Sequence, residues 1–192
     1  MTPVDTSSAA RTAAVRIPDP AEPVPALSLP ALGVLVGGLA LWSGSTVCYI
    51  EGVWPWPVTT AINAVASYLL FTVAHDASHH SLSTSAAANT WMGRIATAFF
   101  APHAGFRTWR FIHMQHHRFT NHDDGRDPDH YTMEGPAWQR PFRFATVDLH
   151  YLAFYLPQIG RRPRREVVEL VLGEHVVSFH LRSSALGGAA GA

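Results

Sequence analysis

The sequence predicts an all-α integral membrane protein, in which a transmembrane helical hairpin is followed by cytoplasmic and interfacial helices. Residues 26–50 and 52–75 contain no Asp, Glu, Lys or Arg. A helix over residues 29–50 would rise about 33 Å, which matches a hydrocarbon core of about 30 Å. The alternative is the buried core of a soluble protein, but two adjacent runs of this length exceed ordinary core helices. We therefore expect transmembrane helices at about 29–50 and 58–78.

The composition agrees with this class. Hydrophobic residues make up 47% of the chain and charged residues 15%, which is apolar for a soluble domain. The 14 basic and 14 acidic residues balance, so the chain lacks the basic character of nucleic-acid-binding proteins, and no nucleic-acid partner is expected. Because Cys48 is the single cysteine, an intramolecular disulfide framework is excluded.

The regions that flank the two apolar runs predict the topology. Residues 1–28 are rich in Pro and Ala and predict a disordered leader. Arg11 and Arg16 precede the first run, and no Lys or Arg separates the two runs. The first four arginines after the second run are Arg94, Arg107, Arg110 and Arg118. The positive-inside rule then predicts a multi-pass protein with both flanks in the cytoplasm.

The remaining chain predicts shorter helices. Residues 91–101 predict an interfacial or partly inserted helix, and residues 106–119 predict a helix that carries aromatic, Arg and His side chains. Gly125 and Pro128 then predict the end of this helix and a polar loop. An amphipathic surface helix follows at 144–156, and the arginine-rich run RRPRR suits a cytoplasmic flank near anionic lipid. Another helix begins near residue 166, and residues 174–192 predict a disordered tail.

Seven of the twelve histidines lie in two windows, HDASHH and HMQHHRFTNH, and six of the seven have the spacing of helical ligands. Helical positions i, i+3 and i+4 share one face, so each window can direct imidazoles at a common centre. Imidazole suits several transition metals, and iron or zinc are the leading candidates. Ordinary packed or exposed histidines are the alternative, which two clusters with helical ligand spacing disfavour. The candidate metal ligands are His75, His79, His80, His113, His116 and His117.

The two windows in this order, HDASHHSL and then RFIHMQHHRFTNHDDGRDPD, resemble the membrane fatty acid desaturase and hydroxylase family. The second window is especially similar to its bacterial desaturase and carotenoid-hydroxylase-like branch. The resemblance covers roughly residues 29–173, and it implies that the six histidines form the first two histidine boxes. The topology predicted from the arginines puts both boxes on the cytoplasmic side. It also implies a di-iron centre, O2 as co-substrate, a lipid acyl or carotenoid substrate, and electrons from ferredoxin or a cytochrome b5-type carrier.

The neighbouring polar residues have two candidate roles each. Asp76 could accept a hydrogen bond from a ligating imidazole, or it could be a solvated helix end. Asn121, Asp127 and Asp129 could orient ligands, but capping and turn formation are slightly favoured. We expect Trp109 and Arg110 to pack at the membrane surface rather than to take part in chemistry.

The third histidine box of the family has no counterpart in this sequence. His175 and His180 are five residues apart and lack a paired histidine. We therefore expect a fragment or frameshift product, with 29–173 as a partial desaturase-like membrane domain, and leave its status as an enzyme open. The function that the resemblance implies is that of a fatty acid desaturase-like oxidoreductase, which carries out O2-dependent C–H oxidation of a lipid acyl chain. The alternatives are a carotenoid-type hydroxylase and an inactive membrane remnant. A zinc hydrolase would need a carboxylate base in a motif such as HExxH, which neither window carries.

Overall fold

The computed structural model describes residues 23–172, and within that range it contains helices and turns but no strand. The all-α class is confirmed for this part of the chain. The α-helices are α1 Leu29–Ile50, α2 Trp56–Ser78, α3 Ala86–Phe100, α4 Phe106–Phe119 and α5 Arg140–Tyr155. Short 3₁₀ turns occupy Pro128–Thr132, Ala137–Gln139 and Leu156–Arg161, and residues 164–172 form a further helical segment, α6. Most of the predicted leader, the predicted tail and both His175 and His180 lie outside the described residues.

Helices α1 and α2 form an antiparallel hairpin. Ser28 caps α1 by accepting a hydrogen bond from the Ala31 N–H at 3.4 Å. The seam between the helices is narrow, because Gly38 of α1 lies against the side chain of Leu70, which is fully buried. Near the turn, the Ser45 hydroxyl donates to the side-chain carbonyl of Asn63, so the polar groups inside the seam are partnered.

The outer faces of this hairpin remain apolar and uncovered. Both helices are long and apolar enough to cross a membrane, and α2 begins at Trp56, two residues before its predicted start. Only 17% of the most apolar window of α1 and 28% of that of α2 is buried. Val36, Val47 and Val65 are each more than half exposed. The core helix of a soluble protein would instead be mostly buried.

Helix α3 packs against α2 and is fixed by a buried asparagine. The Asn89 side chain accepts a hydrogen bond from the Leu82 N–H at 3.1 Å and donates to the Ser83 and Ser85 carbonyls at 2.6 and 2.9 Å. The helix predicted at residues 91–101 begins five residues earlier, at Ala86, so the loop before it is shorter than expected. Asn89 is fully buried and satisfies the backbone of the shortened loop, which is a common role for a buried amide.

Two glycines allow α4 to approach its neighbours. A β-carbon at Gly93 would lie 2.3 Å from the ring of Phe106, so α3 and α4 can pack this closely only with glycine there. Gly105, immediately before α4, has φ +65° and lies against the backbone of Glu169. Both features favour glycine over any residue with a side chain.

A half-buried ionic cluster joins α6 to the helices before it. Glu169 of α6 accepts hydrogen bonds from Arg94 Nη2 of α3 at 2.8 Å and from the Arg107 N–H of α4 at 3.2 Å. Arg107 Nε also lies 3.2 Å from the Glu169 carboxylate. One carboxylate therefore connects three helices around the N-terminal end of α4.

Candidate metal centre

Four histidines converge between α2 and α4. His75 and His79 are four residues apart on α2 and its C-terminal end, and His113 and His117 are four apart on α4. One ligand atom from each of the four lies within 4.8 Å of every other. His113 Nε2 lies 3.1 Å from His79 Nε2 and 3.1 Å from His117 Nε2. The i, i+4 spacing that predicted a common centre is thus matched on both helices.

The convergence follows from the way the two helices pack in register. Aromatic rings meet in pairs that recur every four residues along each helix. Their centroids are 5.9, 4.7 and 4.7 Å apart in the pairs Phe71–Trp109, His75–His113 and His79–His117. Trp109 is buried and stacks on His113 at 5.0 Å with an interplanar angle of 8°. The sequence predicts Trp109 at a membrane surface, whereas in the structure it packs against the histidine site.

The electrostatics of this four-histidine cluster favour neutral imidazole. Burial and the neighbouring histidines, first His75 and then His117 and His79, lower the pKa of His113 to about 3. Burial and the charges of His75 and His117 also hold the pKa of His79 below its ordinary value. Neutral imidazole is the form that binds transition metals, so these groups are in the ligand state at neutral pH.

His116 is outside the group of four converging histidines and is held by carboxylates instead. Its Nδ1 lies 2.9 Å from Asp127 Oδ1 and 3.6 Å from Asp129 Oδ2. Asp127 also accepts hydrogen bonds from the Asn121 and Asp129 N–H groups at 2.7 and 3.0 Å. Its side chain is 1% exposed. Asp127 therefore both shapes the turn and orients His116, the two roles that the sequence left as alternatives.

Asp127 stays ionised despite its burial. Burial raises its pKa, but hydrogen bonds from His116 and from the backbone of Asn121 and Asp129 outweigh this effect. The pKa of the Asp127 carboxyl is consequently below its ordinary value. An ionised carboxylate on Nδ1 fixes the orientation and tautomer of the ring, so Nε2 is the atom that His116 could offer to a metal.

His80 is separated from the four-histidine cluster by the end of α2. The His80 N–H donates to the Ala77 carbonyl at 3.2 Å, and the Ser81 N–H donates to the Asp76 carbonyl at 3.2 Å. These two bonds form a Schellman motif, in which the residue after the cap adopts a left-handed conformation. His80 has φ +58°, unusual for a residue other than glycine. It is therefore absent from the groups of converging ligands among the described residues.

His75 also has a carboxylate neighbour. Its Nδ1 lies 3.0 Å from Asp76 Oδ1, as expected if Asp76 orients a ligand. Unlike Asp127, Asp76 has a side chain that is 52% exposed. The two carboxylate–imidazole contacts therefore differ mainly in burial.

The histidines line a cleft that adjoins an apolar cavity. The cleft has a volume of about 420 Å³ and the cavity about 500 Å³. Four residues line both spaces: Phe71, Trp109, Ile112 and Tyr151. The cavity continues between α3, α4 and α5 along mostly apolar side chains. A bound molecule could thus extend from an apolar compartment to the histidines.

Tyr151 of α5 is a site residue that the sequence did not predict. Its hydroxyl donates to Asp129 Oδ1 at 2.8 Å, so it contacts the carboxylate pair that holds His116. Burial, together with the charge of Asp129, raises the pKa of Tyr151. Tyr151 lies 34 residues beyond His117 in a different helix, and no sequence spacing connects it to the histidines.

Comparison with known proteins identifies relatives of this chain. A family model described as fatty acid desaturase matches residues 51–182. The chain is 29% identical over 130 residues to an sn-1 acyl-lipid omega-3 desaturase (ferredoxin) from Synechocystis, covering 67% of this chain and 33% of that protein. It is 32% identical over 93 residues to an sn-1 oleoyl-lipid 12-desaturase from Arthrospira platensis, covering 47% and 24%.

These matches are partial on the side of the relatives. The chain spans a third or less of the length of the curated relatives it matches. No solved structure matches the chain significantly.

Proposed function

The chain belongs to the fatty acid desaturase family, and from this premise we propose that it oxidises lipid acyl chains with O2 at histidine-bound iron. The observation that carries the proposal is the convergence of His75, His79, His113 and His117 beside an apolar cavity. Such a reaction needs a ligand set for a metal and an adjoining space for a hydrocarbon chain, and this arrangement supports the proposal on both points.

The spacing of the imidazole nitrogens fits a shared metal. Two nitrogens that each bind one metal ion at about 2.1 Å are about 3 to 3.4 Å apart at common coordination angles. The two 3.1 Å separations around His113 Nε2 fall in this range. We propose that these four histidines hold one iron. Imidazole also suits zinc, and the family supplies the preference for iron.

His116 and His80 are proposed ligands of a second iron. The support for His116 is its contact with Asp127, because metal-binding imidazoles commonly have a carboxylate on the other ring nitrogen. His80 is assigned through its position in the first histidine window. Its left-handed backbone adds support, since strained residues cluster at functional sites.

The protein residues prepare the reaction by positioning and by excluding water. Bound iron supplies the capacity to activate O2, which amino-acid side chains lack. Phe71, Trp109 and Ile112 form an apolar wall between the cavity and the histidines, which suits an acyl chain. Desaturation removes two hydrogens from adjacent carbons while two electrons and two protons from outside help to reduce O2 to two waters. Oxygen insertion would instead give an alcohol.

A membrane location and an electron donor complete the proposal. We propose that α1 and α2 span the bilayer and that the histidines face the cytoplasm. The support is the largely unburied apolar surface of both helices and the distribution of arginines. The name of the Synechocystis relative includes ferredoxin, and we propose a ferredoxin-type carrier for this chain, with a cytochrome b5-type carrier as the alternative.

Metal content tests the proposal most directly. We would purify the chain in detergent, load it anaerobically with ferrous iron, and measure iron per chain for wild type, His113→Gln and His122→Gln. His122 is an exposed histidine of the second window outside both candidate groups, so it is a matched control. We expect near two irons in wild type and in His122→Gln, and at most one in His113→Gln. Equal iron in both variants, or none in wild type, would overturn the assignment and favour a non-catalytic remnant.

Product analysis distinguishes the enzymatic alternatives. Iron-loaded chain in vesicles would receive reductant, O2 and either acyl lipid or carotenoid. A new double bond in the acyl chain supports desaturation, and a hydroxylated carotenoid ring supports the carotenoid-type hydroxylase.

A further inference from the structure

A second cleft on α4 contains none of the four converging histidines and is lined by arginines. It is formed where α4 meets the 3₁₀ turn and α6, and its volume is about 280 Å³. Its charged lining consists of Arg107, Arg110, Arg162, Arg165 and Glu166. None of these residues belongs to the candidate metal groups.

The carboxylates at this cleft do not balance its positive charge. Glu166 binds Arg162 through both oxygens, at 2.8 and 2.9 Å, and also accepts a hydrogen bond from Tyr155 at 2.8 Å. Glu169 nearby is shared by Arg94 and Arg107. Four guanidinium groups against one lining carboxylate leave a local excess of three positive charges.

Arg110 and Arg165 have no carboxylate partner within residues 23–172. Arg110 is half-buried on α4, and burial together with the charge of Arg107 holds its pKa below the ordinary value. A half-buried cation beside a second cation is unfavourable unless an anion accompanies it. An anion bound in this cleft would therefore relieve the repulsion between Arg110 and Arg107.

The cleft is also preorganised. The Arg162 guanidinium lies 3.7 Å above the ring of Phe111 and is held by Glu166 at its edge. Met114 and Pro163 give the cleft an apolar border. Several guanidinium groups around one small space match the oxygens of a phosphate, which arginine binds through charge-assisted hydrogen bonds.

We propose that this arginine cleft binds a phosphate group. The phosphate can belong to an anionic lipid headgroup or to free inorganic phosphate, and both present the same oxygens to the arginines. The proposal goes beyond lipid oxidation and does not depend on the iron assignment, because the two sites share no residue.

Binding titrations on the full chain in neutral detergent test this site. The probes are short-chain dihexanoyl phosphatidylglycerol, inorganic phosphate, and sodium chloride at matched ionic strength, read by calorimetry. The variants are Arg110→Gln, Arg165→Gln and the control Arg140→Gln, which removes the same charge from an exposed position at the start of α5. We expect the Kd of the phosphate probe to rise at least about 10-fold in Arg110→Gln and less than about 2-fold in Arg140→Gln.

Each outcome decides the proposal. Binding of both phosphate probes with loss in Arg110→Gln shows a site for the phosphate group itself. Binding of phosphatidylglycerol alone identifies a lipid headgroup site, and binding of inorganic phosphate alone identifies a free-anion site. No phosphate binding above the chloride control, or equal losses in Arg110→Gln and Arg140→Gln, overturns the proposal. If Arg110→Gln does not fold, the exposed Arg165→Gln decides in the same way.

Discussion

The histidines between α2 and α4 and the histidines beside them are positioned by different means. His75, His79, His113 and His117 follow from helical spacing on two helices packed in register. His80 is positioned by a left-handed backbone turn, and His116 by a buried carboxylate from the loop after α4. Helix geometry alone therefore forms the first group, whereas the second group depends on the end of one helix and the loop after another.

The difference teaches which interactions each group needs. The first group requires only that α2 and α4 remain in register. The second group requires particular residues at positions 80, 121 and 127, where the backbone is left-handed or a carboxylate is buried. Substitutions should therefore affect the two groups separately.

The largest effect is expected for His113→Gln. His113 Nε2 contacts two of the other three imidazoles, so this change removes the centre of the first group. We expect metal affinity to fall by more than the 10- to 100-fold that loss of an outer partner costs. Competition titration with a chelator measures this change. A smaller fall in metal affinity in His113→Gln than in Asp127→Asn would contradict the expectation that the first group contributes more to metal binding than the second.

Asp127→Asn should produce the next largest effect and should act only on the second group. The substitution removes the charge that orients His116, and we expect the second iron to bind about 10- to 100-fold more weakly. Asp76→Asn is the matched control. Asp76 lies 3.0 Å from His75 Nδ1, nearly the distance between Asp127 and His116, but its side chain is 52% exposed. We expect less than a 10-fold change there. Equal losses would show that burial does not distinguish the two carboxylates.

The pH dependence of the metal-free chain reports on the first group. Burial and neighbouring histidines lower the pKa of His113 to about 3, whereas an unfolded histidine has a pKa of about 6.5. Between these values the unfolded chain binds a proton that the folded chain does not, so stability falls as the pH decreases.

From pH 7 to pH 5 we expect a loss on the order of 1 kcal/mol, after allowance for solvent screening. Thermal unfolding followed by circular dichroism would measure it. His113→Gln should reduce the pH dependence and His122→Gln should leave it unchanged. An unchanged dependence in His113→Gln would assign the titration to another group.

The smallest effect is expected for His80→Gly. A left-handed conformation costs a residue with a side chain about 1 kcal/mol, and glycine avoids this cost. Glycine also has a larger conformational entropy in the unfolded chain, which offsets part of the gain, so we expect the folded state to be stabilised by about 0.5 kcal/mol. Binding of the second iron should weaken at the same time. His80→Ala keeps the β-carbon and should weaken iron binding without the gain in stability. A destabilising His80→Gly would contradict the strained backbone.

The helices and the four-histidine cluster were predictable because they depend on local patterns. Uncharged runs of helical length predicted α1 and α2 to within two residues, and the predicted helix at 106–119 coincides with α4. The i, i+4 spacing identified both histidine pairs. Helix α3 was predicted to begin at residue 91 but begins at Ala86, because Asn89 looked like a loop residue and is a buried tertiary contact.

The other parts of the site depend on contacts between distant segments, which spacing does not encode. Helical spacing also placed His80 near the common centre, but the Schellman motif at the end of α2 changes the backbone at that residue. Tyr151 reaches Asp129 only because α5 packs back onto the loop that follows α4. The role of Asp127 was open because a sequence cannot show that one carboxylate contacts both a turn and a histidine.

The contact between His79 and His113 has a further consequence for folding. The two residues are 34 positions apart in the chain, and α3 lies between them. A metal bound by both would act as a reversible cross-link that closes this loop, much as a disulfide does. In the chain-entropy description, closing a loop of this length lowers the entropy of the unfolded chain and raises the free energy of unfolding by about 4 kcal/mol. Cells that lack iron would then produce a chain that is also easier to unfold and more accessible to proteases.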